Sequence, residues 1–326
     1  MQQSRQTPAF AVAAFAAVAP AAAEPMLADF DYPYGVHRFA FRSQEQSLAM
    51  AYMDVTARER QRQDRRLAAW QELLRGDVEG VAGGYRVVIP DQIGFCKSSK
   101  PRAYQFGLHQ LAANTHALLA SIGVERPIII GHSMGGMLAL RYALMYPGDT
   151  RGLIVVSPIG LEDRKAKGVP LPTIDQLYER ELKTSFDSIK RYQQATYYAG
   201  VWRPQYDRWV TMLAGMYAGD AGKLVAWDQA LTSDMILSQP VVYEFERIAV
   251  PTVLMIGQKD TTAIGKDRAL PEIAQTLGNY PELGRMANRR IGNSTLVAFA
   301  ELGHAPQVQD PALFIKALLE HRARLP

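Results

Sequence analysis

Cysteine is nearly absent from this chain, as are long apolar runs and any strong excess of charge. The 326 residues include one cysteine, Cys96, so neither an internal disulfide nor a cysteine-rich zinc site can form. The net charge is only +4 and the basic residues are spread along the chain, which does not favour a nucleic-acid groove. Beyond residue 23, no stretch approaches the roughly 18 apolar residues that span a membrane. An apolar content of 48% excludes disorder and predicts a large buried core.

The first 23 residues have the composition of a secretory signal peptide. Arg5 supplies a positive charge, residues 9–19 are apolar, and the small residues 21–23 precede Glu24, as signal peptidase requires. We therefore predict cleavage after Ala23 and a secreted or periplasmic bacterial protein, with no integral membrane segment left after cleavage. An uncleaved amphipathic N-terminus is the alternative interpretation.

The rest of the chain predicts an α/β fold with a mostly parallel central sheet and helices on both faces. Residues 36–55 alternate apolar and polar positions, as two antiparallel strands do. From residue 84 onward, apolar strands alternate with amphipathic helices, which is typical of a covered parallel sheet. The predicted strands of that part are 85–90, 127–130, 153–156, 250–256 and 295–299, with helices at 108–122 and 311–324.

Residues 162–246 interrupt this alternation with a helical pattern. They contain Trp202, Trp209 and Trp227 of the four tryptophans, together with several tyrosines. An aromatic-rich insertion between core strands predicts a helical cap over a pocket, although most of these aromatics can equally form the core of the cap itself. The predicted core is then 24–161 and 247–326.

A serine nucleophile is predicted at the end of strand 127–130. Residues 131–135 read Gly-His-Ser-Met-Gly, which matches G-x-S-x-G between a β-branched strand and a helix. Gly131 and Gly135 provide the small neighbours that a strained strand-to-helix turn requires. The turn would expose the Ser133 hydroxyl, and the N–H of Met134 at the helix N-terminus could donate to an oxyanion.

The base and the acid that such a serine needs follow in the expected order. Asp260 comes after strand 250–256 and His304 after strand 295–299, so both would lie at the carboxyl edge of the sheet. Asp91, at the end of strand 85–90, is a rival for the acid, although a carboxylate there more often caps the following turn. The remaining histidines show no metal-site spacing, so neither a metal nor a cofactor is expected.

With these motifs, the chain resembles the α/β-hydrolases, and in particular the capped serine hydrolases that include esterases, proline iminopeptidases and carbon–carbon bond hydrolases. Residues 91–99 resemble the D-x-x-G-x-G-x-S turn of the family, with Cys96 at the usual second glycine. The resemblance implies that Ser133 is the nucleophile, His304 the base and Asp260 the acid.

One element of that family is missing from the sequence. The resemblance implies a central strand followed by His-Gly, whose loop supplies the second oxyanion N–H, before residue 85. Residues 58–66 instead hold five arginines, and the segment stays polar to residue 80. A solvated basic helix and a nucleic-acid patch are two interpretations, but interleaved acidic residues nearly cancel the charge, and neither would replace a central strand.

A third interpretation is that residues 57–83 are read out of frame, through a sequencing error or a damaged gene. Read one base later, permitted codons for residues 61–80 encode an apolar strand followed by His-Gly at positions 69 and 70. We favour this interpretation, and sequencing of the coding DNA tests it. In the shifted frame position 74 becomes cysteine, and we predict that an intact relative pairs it with Cys96.

Together these observations predict an exported serine hydrolase that acts on an ester, thioester or amide of a small, partly apolar molecule. No cofactor and no nucleic-acid partner are expected. Arg191, Arg203 and Arg208 are candidate anchors for a charged substrate. The alternative is a catalytically impaired or non-folding product, because the segment that should supply the second oxyanion donor is replaced.

Overall fold

The fold is described by a computed structural model over residues 9–13, 32–55, 85–219 and 221–325. These residues form one sheet, whose strands β1 to β8 in chain order are Ala9–Ala13, Val36–Ser43, Gln46–Val55, Arg86–Pro90, Ile128–His132, Gly152–Val156, Thr252–Gly257 and Ser294–Phe299. Their order across the sheet is β2-β3-β4-β1-β5-β6-β7-β8. The pairs β2–β3 and β3–β4 are antiparallel and the other pairs are parallel, so the predicted mostly parallel α/β sheet is confirmed.

Helices cover both faces of this sheet. In chain order, α1 to α10 are Leu108–Ser121, Met134–Met145, Ile174–Glu181, Phe186–Thr196, Asp207–Met216, Gly222–Ser238, Pro271–Ala274, Tyr280–Arg290, Pro306–Gln309 and Pro311–Arg322. Side chains of a strand alternate between the two faces: Ile129 packs in one apolar cluster with residues of α1, α2 and α8. Ile128 and Ile130 pack in the other cluster with residues of α10. Each face of the sheet therefore has its own buried core.

The central strand β1 comes from the N-terminus of the chain. It lies between β4 and β5 and runs parallel to both, with Ala11 opposite Val88 on one side and Ile129 on the other. This differs from our expectation that the first 23 residues lie outside the fold. The physical reason is that two buried parallel strands present backbone N–H and C=O groups that must be paired, and residues 9–13, which are uncharged and apolar, pair with both strands. The suspected out-of-frame segment, 57–83, lies outside the described residues.

The insertion between β6 and β7 is helical. Helices α3 to α6 lie in it, together with short 3-10 helices at Pro204–Tyr206 and Val242–Arg247. Residues of α4, α5 and α6 line one cavity with Ser133, which follows β5, so these helices lie beside the carboxyl ends of the parallel strands. In the part of the chain that the structure describes, no helix is both long and apolar enough to cross a membrane.

Candidate active site

Ser133 occupies a strained turn between β5 and α2. Its backbone has φ 57° and ψ −120°, a conformation that costs free energy for any residue with a side chain. The turn is tight enough that a Cβ added to Gly131 would lie 2.1 Å from the carbonyl oxygen of Gly135. A Cβ on Gly136 would lie 2.6 Å from Cβ of Pro158. Glycine at these positions lets the strand and the helix approach closely while the serine projects from the turn.

Two hydrogen bonds link Ser133 to His304 and His304 to Asp260. The Ser133 Oγ lies 2.8 Å from Nε2 of His304, and Nδ1 of His304 lies 2.7 Å from Oδ2 of Asp260. The other carboxylate oxygen of Asp260 accepts the N–H of Thr262 at 2.8 Å. His304 and Asp260 are buried. Because an ionised carboxylate can only accept, Nδ1 carries the proton and Nε2 is free to accept the serine proton.

His132 holds the loop that carries His304. Its Nε2 lies 2.7 Å from the backbone oxygen of His304. Burial, together with the neighbouring His304, lowers the pKa of His132 to about 3, so the ring is neutral and donates this bond. On the other side, the ring of Tyr197 lies 4.6 Å from the ring of His304, measured between centroids. His132 is the first variable position of G-x-S-x-G, so the motif alone does not indicate this role.

A developing oxyanion would find a donor at the start of α2. Met134 is the first residue of that helix, so its N–H has no acceptor within the helix, and it lines the same cavity as Ser133. The expected second donor would follow the central strand, and the residues that follow Ala13 and those at 57–83 lie outside the described part of the chain. The geometry therefore includes one donor at this site.

Comparisons with known proteins identify the family to which this fold belongs. A family model described as alpha/beta hydrolase fold matches residues 67–311. The chain belongs to the α/β-hydrolase family. A crystal structure of a probable hydrolytic enzyme from Pseudomonas aeruginosa PAO1 is 50% identical, covers 96% of this chain and 98% of that one, and superposes with a TM-score of 0.85.

Curated relatives of this α/β-hydrolase are also hydrolases. A 2-hydroxy-6-oxo-6-phenylhexa-2,4-dienoate hydrolase of Burkholderia cepacia is 32% identical over 37% of this chain and 43% of the relative. Lipase 1 of Psychrobacter immobilis is 24% identical over 69% of this chain and 65% of the lipase. This chain thus matches less than half the length of the dienoate hydrolase. The predicted family is confirmed, and the predicted enzyme class agrees with the names of these relatives.

Asp91 has a different role in this α/β-hydrolase from the acid of the site. Its Oδ2 accepts the Tyr32 hydroxyl at 2.7 Å and the Lys97 N–H at 3.0 Å. Burial raises the pKa of Asp91 to about 6, and those two hydrogen bonds lower it only in part. Asp91 therefore holds the 91–99 turn, while Asp260 contacts the histidine. In that turn Cys96 has φ 46°, the left-handed region that favours glycine.

A cavity of about 350 Å³ opens at Ser133. The helical insertion forms much of its wall with apolar and aromatic side chains: Tyr197, Tyr198, Trp209, Met212, Met216 and Ile236. Its size is in the range of small-molecule sites. The arginines considered as anchors do not line this cavity, and the guanidinium of Arg208 lies over the ring of Trp209 at 4.6 Å.

The described residues also bear on metal chemistry at this site. Within the described ranges, no group of three or more His, Cys, Asp and Glu side chains is arranged to hold a metal ion. The cavity wall offers hydroxyl, amide and imidazole groups beside its apolar residues.

Proposed function

We propose that this hydrolase cleaves an ester, thioester or amide of a small, partly apolar molecule, with Ser133 as nucleophile, His304 as base and Asp260 as the residue that orients His304. The observation that carries the proposal is the continuous hydrogen-bonded chain from Asp260 through His304 to Ser133, with spacings of 2.7 and 2.8 Å, at the floor of an apolar cavity. Nucleophile and base within hydrogen-bond reach, with the base held by a third group, are what acyl transfer to serine requires.

The reaction then proceeds in two steps. Ser133 Oγ attacks the carbonyl carbon while its proton passes to Nε2 of His304, and the Met134 N–H donates to the carbonyl oxygen as it gains charge. His304 returns the proton to the leaving group, which departs and leaves an acyl-serine. Water, activated by His304, attacks that acyl group, the acid product leaves and Ser133 regains its proton.

An organophosphonate probe that reacts with activated serines tests the assignment. Ser133→Ala should abolish both labelling and turnover of a 4-nitrophenyl ester, since no other group supplies the nucleophile. Ser233→Ala is the matched control, because Ser233 lines the same cavity on α6 and should leave the labelling intact. Labelling that survives Ser133→Ala would refute the proposal.

A catalytically impaired product is the second candidate. The observation that favours it is that residues 9–13 occupy the strand position from which the second oxyanion loop should follow, with a sequence that contains no His-Gly. Losing one oxyanion donor commonly costs roughly 100- to 1000-fold in rate. An ester assay beside a thermal melt separates the candidates: a cooperative melt with weak turnover indicates impairment, and the absence of a melt indicates a chain that does not fold.

A further inference from the structure

Three glutamine side chains on the cavity wall retain unused hydrogen-bonding capacity. Gln193, Gln229 and Gln307 all line the cavity. Among the described residues, Oε1 of Gln193, Nε2 of Gln229 and Oε1 of Gln307 are buried and have no hydrogen-bond partner. A buried amide without a partner is costly, and native structures rarely keep one without a reason. Three of them around one cavity favour an occupant that supplies the partners once these amide groups turn toward it.

Gln193 is the best-defined of the three. Only 5% of its surface is exposed, and its backbone oxygen accepts the N–H of Tyr197 at 2.7 Å and of Tyr198 at 3.1 Å, which fixes it at the end of α4. Tyr197 is the residue whose ring lies 4.6 Å from His304. The backbone positions of Gln193 and Tyr197 are therefore about one helical turn apart, roughly 6 Å along the axis.

Charged groups do not share this wall. None of the described residues that line the cavity is Asp, Glu, Lys or Arg. A substrate carboxylate bound here would lose its hydration without gaining a cation, which is strongly unfavourable. A neutral group with an O–H or N–H donor would instead pair the carbonyl oxygen of Gln193 or that of Gln307, and its own oxygen could accept from Gln229.

We propose that Gln193, Gln229 and Gln307 form a neutral amide subsite, which selects uncharged acyl substrates that carry a hydroxyl or amide group beyond the scissile carbonyl and disfavours substrates with a carboxylate. This inference rests on the proposed serine hydrolase function. It makes Gln193 a residue that determines specificity, with no part in the bond-breaking steps.

Three 4-nitrophenyl esters with acyl chains of similar length test the subsite: the esters of N-acetyl-β-alanine, hexanoic acid and glutaric acid. We expect kcat/KM to be roughly 10- to 100-fold higher for the N-acetyl-β-alanine ester than for the hexanoate, because only the former pairs the buried amides. The glutarate should be the poorest of the three. Gln193→Leu should remove most of the preference for the amide over the hexanoate, and Gln194→Leu on the same helix should preserve it.

Binding without turnover separates this inference from the proposed function. In the Ser133→Ala background, the unreactive N-acetyl-β-alaninamide should bind about tenfold more weakly after Gln193→Leu, measured by calorimetry, whereas hexanamide should not show that loss. Equal losses for both ligands, or no preference in either experiment, would overturn the subsite even if Ser133 is labelled. Selective binding in a protein that Ser133 probes do not label would support the subsite and reject the serine mechanism.

Discussion

Strands β5 to β8 and strands β1 to β4 lie in one sheet, but the chain builds the two halves differently. In the first half, which is formed by β5 to β8, the strands neighbour one another in chain order. The loops after β5, β7 and β8 carry Ser133, Asp260 and His304. In the second half, which is formed by β1 to β4, the strands are not arranged in chain order. The strand beside β5 is β1, Ala9–Ala13, and its other neighbour, β4, begins far along the chain at Arg86.

The difference separates two requirements of the site. The hydrogen-bonded serine, histidine and aspartate depend on loops of the half that is built in chain order. The second oxyanion donor depends on whatever follows the central strand, which belongs to the other half. The second half also bears on export, because residues that signal peptidase removes cannot remain as the central strand. Perturbing each half should therefore have different consequences, for catalysis in one and for stability in the other.

The largest effect is expected from Asp260→Asn in the half that carries the site. The amide can donate to Nδ1 of His304 and so favours the wrong tautomer, which should lower kcat by about 10,000-fold with little change in folding. The measurement is kcat on a 4-nitrophenyl ester beside a thermal melt. Asp91→Asn is the matched control, since Asp91 bonds Tyr32 and Lys97, and it should cost less than tenfold in kcat. A similar loss in both variants would contradict the assignment of Asp260.

Ala11→Pro tests the half formed by β1 to β4. It acts by removing a backbone hydrogen bond of β1. Ala11 lies opposite Val88 and Ile129 in the interior of the sheet, where proline removes a ladder hydrogen bond and is not tolerated. We expect the free energy of unfolding to fall by roughly 3 kcal/mol, measured with urea. Ala21→Pro, beyond the strand, is the control and should have little effect.

The same substitution also tests the hypothesis that residues 57–83 are read out of frame. In a chain whose residues 61–80 are replaced by the alternative-frame sequence, the restored strand would take the central position, so Ala11→Pro should then be harmless. Equal free energies of unfolding for Ala11→Pro and Ala21→Pro in the original chain would contradict the role of β1 as the central strand. A mature chain that begins at Glu24 and keeps full stability would contradict it as well.

The sequence predicts the first half well because its signals are local. Each β-branched run is followed within a few residues by a turn that bears one site residue, so order and spacing suffice. The bond from His132 to the His304 loop joins residues 172 apart in the chain, and no local pattern indicates it. The exposure of Gln193 depends on which face of α4 turns to the cavity, which packing alone decides. Residues 9–19 are ambiguous because a secretory signal and a buried strand are both short apolar runs.

Asp228 lies where the helical insertion contacts the 91–99 turn. It is fully buried on α6, neither carboxylate oxygen has a partner among the described residues, and Oδ2 would lie 3.4 Å from a Cβ on Gly94. Burial raises its pKa from the ordinary 3.8 to about 7, and the charge of Lys100 opposes this only in part. The folded state then binds more protons than the unfolded state between these values, so stability falls as the pH rises from about 4 to 7.

Asp228→Asn should remove this loss because the amide does not ionise. We expect the variant to be more stable than the parent by about 4 kcal/mol at pH 8 and nearly equal to it at pH 4, measured by urea unfolding at both values. Asp234→Asn is a control on the same helix. A stability difference that is the same at both pH values would show that ionisation of Asp228 is not its cause.

The smallest effect is expected at Cys96, where the turn of the second half departs from the glycine of related hydrolases. Cys96 is buried with φ 46°, a conformation that costs an L-residue about 1 kcal/mol relative to glycine. Cys96→Ala and Cys96→Gly both remove the sulfur, and only the latter also removes Cβ. Urea unfolding should therefore find the glycine variant more stable than the alanine variant by about 1 kcal/mol. If alanine is the more stable, the left-handed backbone at this turn carries no strain, and the loss of the family glycine here has no cost in stability.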